Sequence, residues 1–146
     1  MLERANVLGA VLTVAFYILA ILVFVFRLLD RPAYARLAGW VELLLGLPLA
    51  YLLITSTGLE RPALYQVQVG LMLAWLIVEL VLDYILQVPF REVQWAVIAY
   101  VMLFFAGTGG MLGVAAQAGR AWVIPSVILF LTMAALAFVQ RAVTGL

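Results

Sequence analysis

Residues 66–87 read QVQVGLMLAWLIVELVLDYILQ, an apolar run of membrane-spanning length that carries two carboxylic acids, Glu79 and Asp83. At ~1.5 Å per residue this stretch reaches about 33 Å as a helix, enough to cross a bilayer core. Successive side chains on an α-helix turn by ~100°. Tyr65, Gln68, Met72, Trp75, Glu79, Asp83, Leu86 and Gln87 then fall in one sector roughly 120° wide. Val67, Leu71, Val78 and Ile85 occupy the opposite side. The pattern predicts a helix with a lipid-like back and a polar front. An ionisable group in a span costs about 2.5–3.5 kcal/mol on insertion scales, so it is expected to face a bundle interior, a partner or water.

Four further apolar runs flank this one, joined by short connectors. The chain is 68% hydrophobic and 10% charged, whereas soluble domains are about 45–50% apolar and about 25% charged. The fold expected is an all-α polytopic integral membrane protein, a single-domain bundle over residues 1–146. Its five transmembrane helices are expected at residues 6–29, 36–54, 66–88, 92–114 and 122–143. Strands of a β-barrel would alternate over ~10-residue segments, and these runs are continuous. The first run is followed by more spans rather than by a small-residue cleavage site and a soluble domain, so it is read as a retained span.

Residue types that are missing remove several chemistries. Without cysteine there is no disulfide, thiolate metal site or iron–sulfur cluster. Without histidine there is no bis-His haem, imidazole shuttle or His-ligated zinc. Without lysine there is no Schiff base. No cofactor and no metal are expected. The eight cations are all Arg and are scattered singly, which gives no nucleic-acid signature.

The connectors carry start and stop signals. Asp30-Arg31-Pro32 precedes the second run, with Asp30 suited to an N-cap and Pro32 to a first turn. Glu60-Arg61-Pro62 repeats the pattern before the third run, and the two stretches fall on opposite faces. An inverted repeat would show this, as would two separate uses of one helix-start chemistry. Gly58 is the expected stop of the second run. Pro48, inside that run, removes a backbone hydrogen bond and predicts a kink. The fourth run contains Ala106, Gly109, Gly110 and Gly113, whose spacing lets helix backbones approach closely. Gly109 and Gly113 form a GxxxG that is expected to pack within the chain, or to serve a homo-oligomer or a larger membrane complex.

Alternating direction puts the end of span one, the start of two, the end of three, the start of four and the end of five on one face. Near that face lie Arg27, Glu42, Asp83, Gln87, Gln94, Gln140 and Arg141, with Glu79 slightly deeper. The other leaflet holds milder groups such as Asn6, Thr13, Ser56, Gln68, Thr108 and Ser126. Five Arg lie on the charged face and three on the other. The positive-inside rule then places the protein in the cell membrane with the N-terminus outside and the C-terminus cytoplasmic.

Glu79 and Asp83 are i,i+4 neighbours, and two carboxylates in a low-dielectric site do not both ionise easily. A buried network is expected in which Arg27 approaches Asp83 or Glu42. Three functions fit. The first is binding or transport of a small ligand, cation or proton in a one-sided pocket. That pocket would be lined by Glu79, Asp83, Glu42, Arg27, Trp75, Met72, Gln87, Gln94, Tyr100 and Gln140. Carboxylates beside aromatics suit cationic amphiphiles. The second is a non-catalytic subunit or assembly protein whose acids and Arg residues hold helices together. The third is a lipid-modifying enzyme using paired carboxylates as acid and base. No nucleophile, metal cluster or phosphate loop accompanies them, so no catalytic residue is assigned. Membrane lipids are the partners expected in every case.

Overall fold

The computed structural model describes residues 2–86 and 93–144 of the chain. The described residues are helical apart from short turns, and no strand occurs among them. The helices are α1 (Leu2–Leu28), α2 (Pro32–Leu44), α3 (Gly46–Ser56), α4 (Ala63–Glu79), α5 (Gln94–Ala116) and α6 (Arg120–Thr144). A π-helical segment, Leu80–Ile85, continues α4. They make five segments long and apolar enough to cross a membrane, with α2 and α3 forming one of them.

The second segment breaks where proline chemistry requires it. Pro48 has no N–H to offer the carbonyl four residues back, at Leu44, and its ring crowds that position. The α-helix accordingly stops at Leu44, turns through Leu45, and restarts at Gly46. The break lets one segment serve two neighbours. Its first half packs on α1, and its second half packs on α4. Glu42 sits in the last turn before the break.

Helices α1 and α5 are the two hubs. α1 packs against α2, α5 and α6, and α5 against α1, α4 and α6, whereas α4 packs against α3 and α5. The segment of residues 66–86 is therefore a side wall of the bundle rather than its centre. The α1 hub is fastened by two hydroxyls. Thr13 Oγ1 donates to the Met111 carbonyl at 3.1 Å, and Tyr17 donates to the Thr108 carbonyl. The core joins Leu12, Phe16 and Tyr17 of α1 to Val69, Met72 and Trp75 of α4 and to Phe104, Met111 and Val114 of α5. The buried face of α6 carries Ser126, Met133 and Gln140.

The two repeated connectors are helix stops before they are helix starts. Asp30 and Glu60 both adopt left-handed backbone, at φ 56° and 55°. In the first turn the Arg31 N–H bonds to the Phe26 carbonyl, and the Asp30 N–H to that of Arg27. In the second the Arg61 N–H bonds to Ser56, and the Glu60 N–H to Thr57. This paired 6→1 and 5→2 pattern is the Schellman motif. The N-cap role expected of Asp30 goes to Arg31, which makes no side-chain cap. The stop expected at Gly58 falls instead on Glu60, the residue that takes the left-handed position.

Candidate functional site

Five apolar segments each contribute to one cavity near the end where Arg27, Glu42 and Arg141 lie. Its volume is about 590 Å³, within the range of ~300–1,000 Å³ of small-molecule sites. α1 supplies Phe24 and Arg27, α2 supplies Glu42, and α4 supplies Trp75 and Glu79. α5 supplies Gln94, Tyr100, Phe104 and Phe105, and α6 supplies Phe138, Gln140 and Arg141.

The cavity is polar at its centre and aromatic around it. Glu42 is 2% exposed and Glu79 6%. Glu42 lies within electrostatic reach of both Glu79 and Arg27. The Tyr100 hydroxyl donates to Glu79 Oε1 across 3.5 Å. Trp75, 3% exposed, has its ring centroid 5.0 Å from that of Phe104 and 6.2 Å from that of Tyr100. Phe24 meets Phe104 edge-on, at 6.1 Å. Two buried polar atoms of the wall, Glu42 Oε1 and Trp75 Nε1, have no hydrogen-bond partner among the described residues. Buried polar groups are normally satisfied, so these two mark the place where a bound group would be completed. Among the described residues no cluster of three or more metal-ligating acids occurs.

Seven of the ten residues expected from the sequence line this cavity: Arg27, Glu42, Trp75, Glu79, Gln94, Tyr100 and Gln140. Gln87 lies outside the described residues. Met72 is fully buried in the core, one turn of α4 beyond the cavity wall. Asp83 is placed elsewhere. The chain switches to π-helix immediately after Glu79. The switch is visible in the Leu86 N–H, which bonds to the carbonyl of Val81 five residues back. Asp83, within this π-helical turn, does not line the cavity. Such π turns recur at functional sites.

The same π turn aims Tyr84 at α2. Its ring lies 4.7 Å from that of Trp40 and 4.6 Å from the Arg36 guanidinium, and its hydroxyl reaches the Arg36 carbonyl at 3.5 Å. A Cβ at Gly39 would collide with that hydroxyl.

Three glycines of α5 face inward, toward α4. A Cβ at Gly107 would lie 3.1 Å from Met72 Cα and 3.2 Å from the Leu71 carbonyl oxygen. One at Gly110 would lie 3.4 Å from Gln68 Cα, and one at Gly113 would collide with the Gln68 amide. Gly109 faces Phe130 of α6 at an ordinary 3.9 Å, and Ala106 is exposed. The close approach therefore runs along Gly107, Gly110 and Gly113 rather than along the Gly109/Gly113 pair.

The sequence reading missed the aromatic shell of Phe24, Phe104, Phe105 and Phe138. In an apolar span a phenylalanine gives no contrast with its neighbours. Its position at the cavity follows only from which helices pack together. No protein-family model, curated protein or solved structure matches the chain.

Proposed function

We propose that the chain is an integral membrane protein of five spans that binds a small ligand in the cavity around Glu42 and Glu79. The carrying observation is that every one of the five apolar segments contributes a polar side chain to this single cavity. Two of these are acids, each more than nine-tenths buried. Five helices of suitable length and hydropathy support the membrane reading. The Arg distribution supports the cell membrane, with the N-terminus outside and the C-terminus cytoplasmic.

The acids suit a ligand that carries positive charge or hydrogen-bond donors, and the aromatic shell suits an apolar body beside it. Coordination of a proton or small cation by the same acids would serve transport. The competing role is mechanical, with acids and Arg residues joining helices inside a larger assembly. A tightly packed joint has no need of a cavity of this size, and buried ion pairs are often replaceable by apolar groups without loss of stability.

The test is thermal unfolding of the purified protein in nanodiscs with and without a long-chain alkylamine. Binding raises stability by about 2.7 kcal/mol at a hundred times Kd. The proposal expects a saturable rise in wild type that Glu42→Gln and Glu79→Gln abolish, while both variants without ligand stay as stable as wild type. Loss of stability in the ligand-free variants, with no rise in wild type, would favour the mechanical role.

A further inference from the structure

The cavity has an asymmetric wall, and its asymmetry says how a ligand arrives. Much of the lining is buried: Val23 of α1, Glu42 of α2, Trp75 of α4, Val97 and Phe104 of α5, and Gln140 of α6. At the gap between α5 and α6 three lining residues are not. Ile98, Met102 and Phe138 line the cavity and are 51%, 68% and 65% exposed. Side chains that line a cavity while remaining mostly exposed stand at the edge where it opens outward. Both helices are long apolar segments, so this opening faces the side of the bundle rather than its end. Helices α5 and α6 meet where Phe130 approaches Gly109 and where the Phe105 and Phe138 rings stack, with centroids 5.8 Å apart. From that stacked pair toward the charged end, Met102 and Ile98 on one helix and Ala142 on the other border the opening.

The inner end of the cavity sets the chemistry of the head group. Glu42 Oε1 is an acceptor needing a donor, and Trp75 Nε1 is a donor needing an acceptor. One small head that carries both an ammonium or hydroxyl donor and an oxygen acceptor satisfies the two together. Between this polar end and the side opening the wall is apolar, made by Phe104, Phe105, Val101 and Phe138.

We infer that the ligand is a single-chain membrane amphiphile with an amino-alcohol head, which enters sideways from the bilayer between α5 and α6. The head rests between Glu42 and Trp75, and the alkyl chain passes out beside Met102 and Phe138 into the lipid. This rests on the cavity reading proposed above and adds the ligand class and the route.

Trp75 is the natural reporter. With Trp40, Trp95 and Trp122 changed to Phe, Trp75 is the remaining tryptophan, and it is shielded from bulk lipid by its burial. The full chain is placed in phosphatidylcholine nanodiscs and titrated with a long-chain 2-amino-1-alkanol brominated on its alkyl chain. The expected result is saturable quenching of Trp75. Ala137→Phe or Ala142→Phe, which narrow the opening, should weaken the apparent affinity tenfold or more, and Glu42→Gln should weaken it similarly. Helical circular dichroism selects the variants that remain folded, and either Phe variant suffices. If 2-aminoethanol raises the melting temperature while the brominated chain leaves Trp75 unquenched, the lateral amphiphile is overturned and the cavity reading stands. If neither quenching nor a melting shift occurs, both fail. Quenching that grows linearly without saturation, unchanged in the Phe variants, reports bulk bilayer contact and overturns the inference.

Discussion

The Tyr84 hydroxyl occupies the space into which a side chain at Gly39 would project. Tyr84 lies in the π turn after Glu79 and meets α2, where its ring contacts both Trp40 and Arg36. Gly39→Ala should therefore push the ring out of this slot, at a cost of about 1–3 kcal/mol, the usual range for overpacking. Tyr84→Phe in the same chain removes the colliding oxygen and leaves the ring carbon behind it, 3.1 Å from the new Cβ. Thermal unfolding of the two single variants and the double variant checks this, and the double variant should recover most of the loss.

The glycines of α5 give a graded series. Gly107→Ala sets a methyl group against the Met72 and Leu71 backbone, which cannot rotate away. It should cost about 1–3 kcal/mol. Gly109→Ala meets only the tip of Phe130, and Gly70→Ala meets nothing within 4 Å. Both should be neutral or stabilising, because alanine is the better helix former. Unfolding in one detergent or nanodisc composition ranks all three.

Two acids in left-handed backbone close the two Schellman turns. A residue with a Cβ is strained there by about 1–2 kcal/mol, with Asp tolerated better than Glu. Glu60→Gly should raise stability by about 0.5–1 kcal/mol, and Asp30→Gly by less, after allowing for glycine's freer unfolded chain. Melting temperatures of the two variants decide the order.

The segments and most of the cavity were legible in the sequence because both depend on contrast. A carboxylate, amide or guanidinium within an apolar run stands out, and alternating direction then gathers Arg27, Glu42, Gln94, Gln140 and Glu79 at one end. What was not legible depends on backbone detail. The π turn that follows Glu79 and holds Asp83 leaves no sign in the residue pattern, since an α-helix accommodates Leu80–Ile85 equally well. The same holds for the hubs. Which helices touch three others is decided by packing, and the one acid of α1, Glu3, stands in its first turn, at the opposite end from Arg27. The Asp-Arg-Pro and Glu-Arg-Pro repeats were visible, but their shared meaning as helix stops required the φ angles.

Because the chain has no cysteine, its orientation can be read from single introduced thiols. The proposed topology expects Gly58→Cys and Ala118→Cys to react with an impermeant maleimide added outside intact cells. Asp30→Cys should react only after permeabilisation. The reverse labelling pattern would invert the proposed orientation and leave the cavity unchanged.

The central claim is that the cavity beside Glu42 holds one ligand. Native mass spectrometry of the protein, released from nanodiscs that contain a long-chain amino alcohol, tests it most directly. The account predicts a single adduct per chain in wild type that is absent in Glu42→Gln. Bare protein, or a distribution of several adducts that is the same in Glu42→Gln, would contradict it.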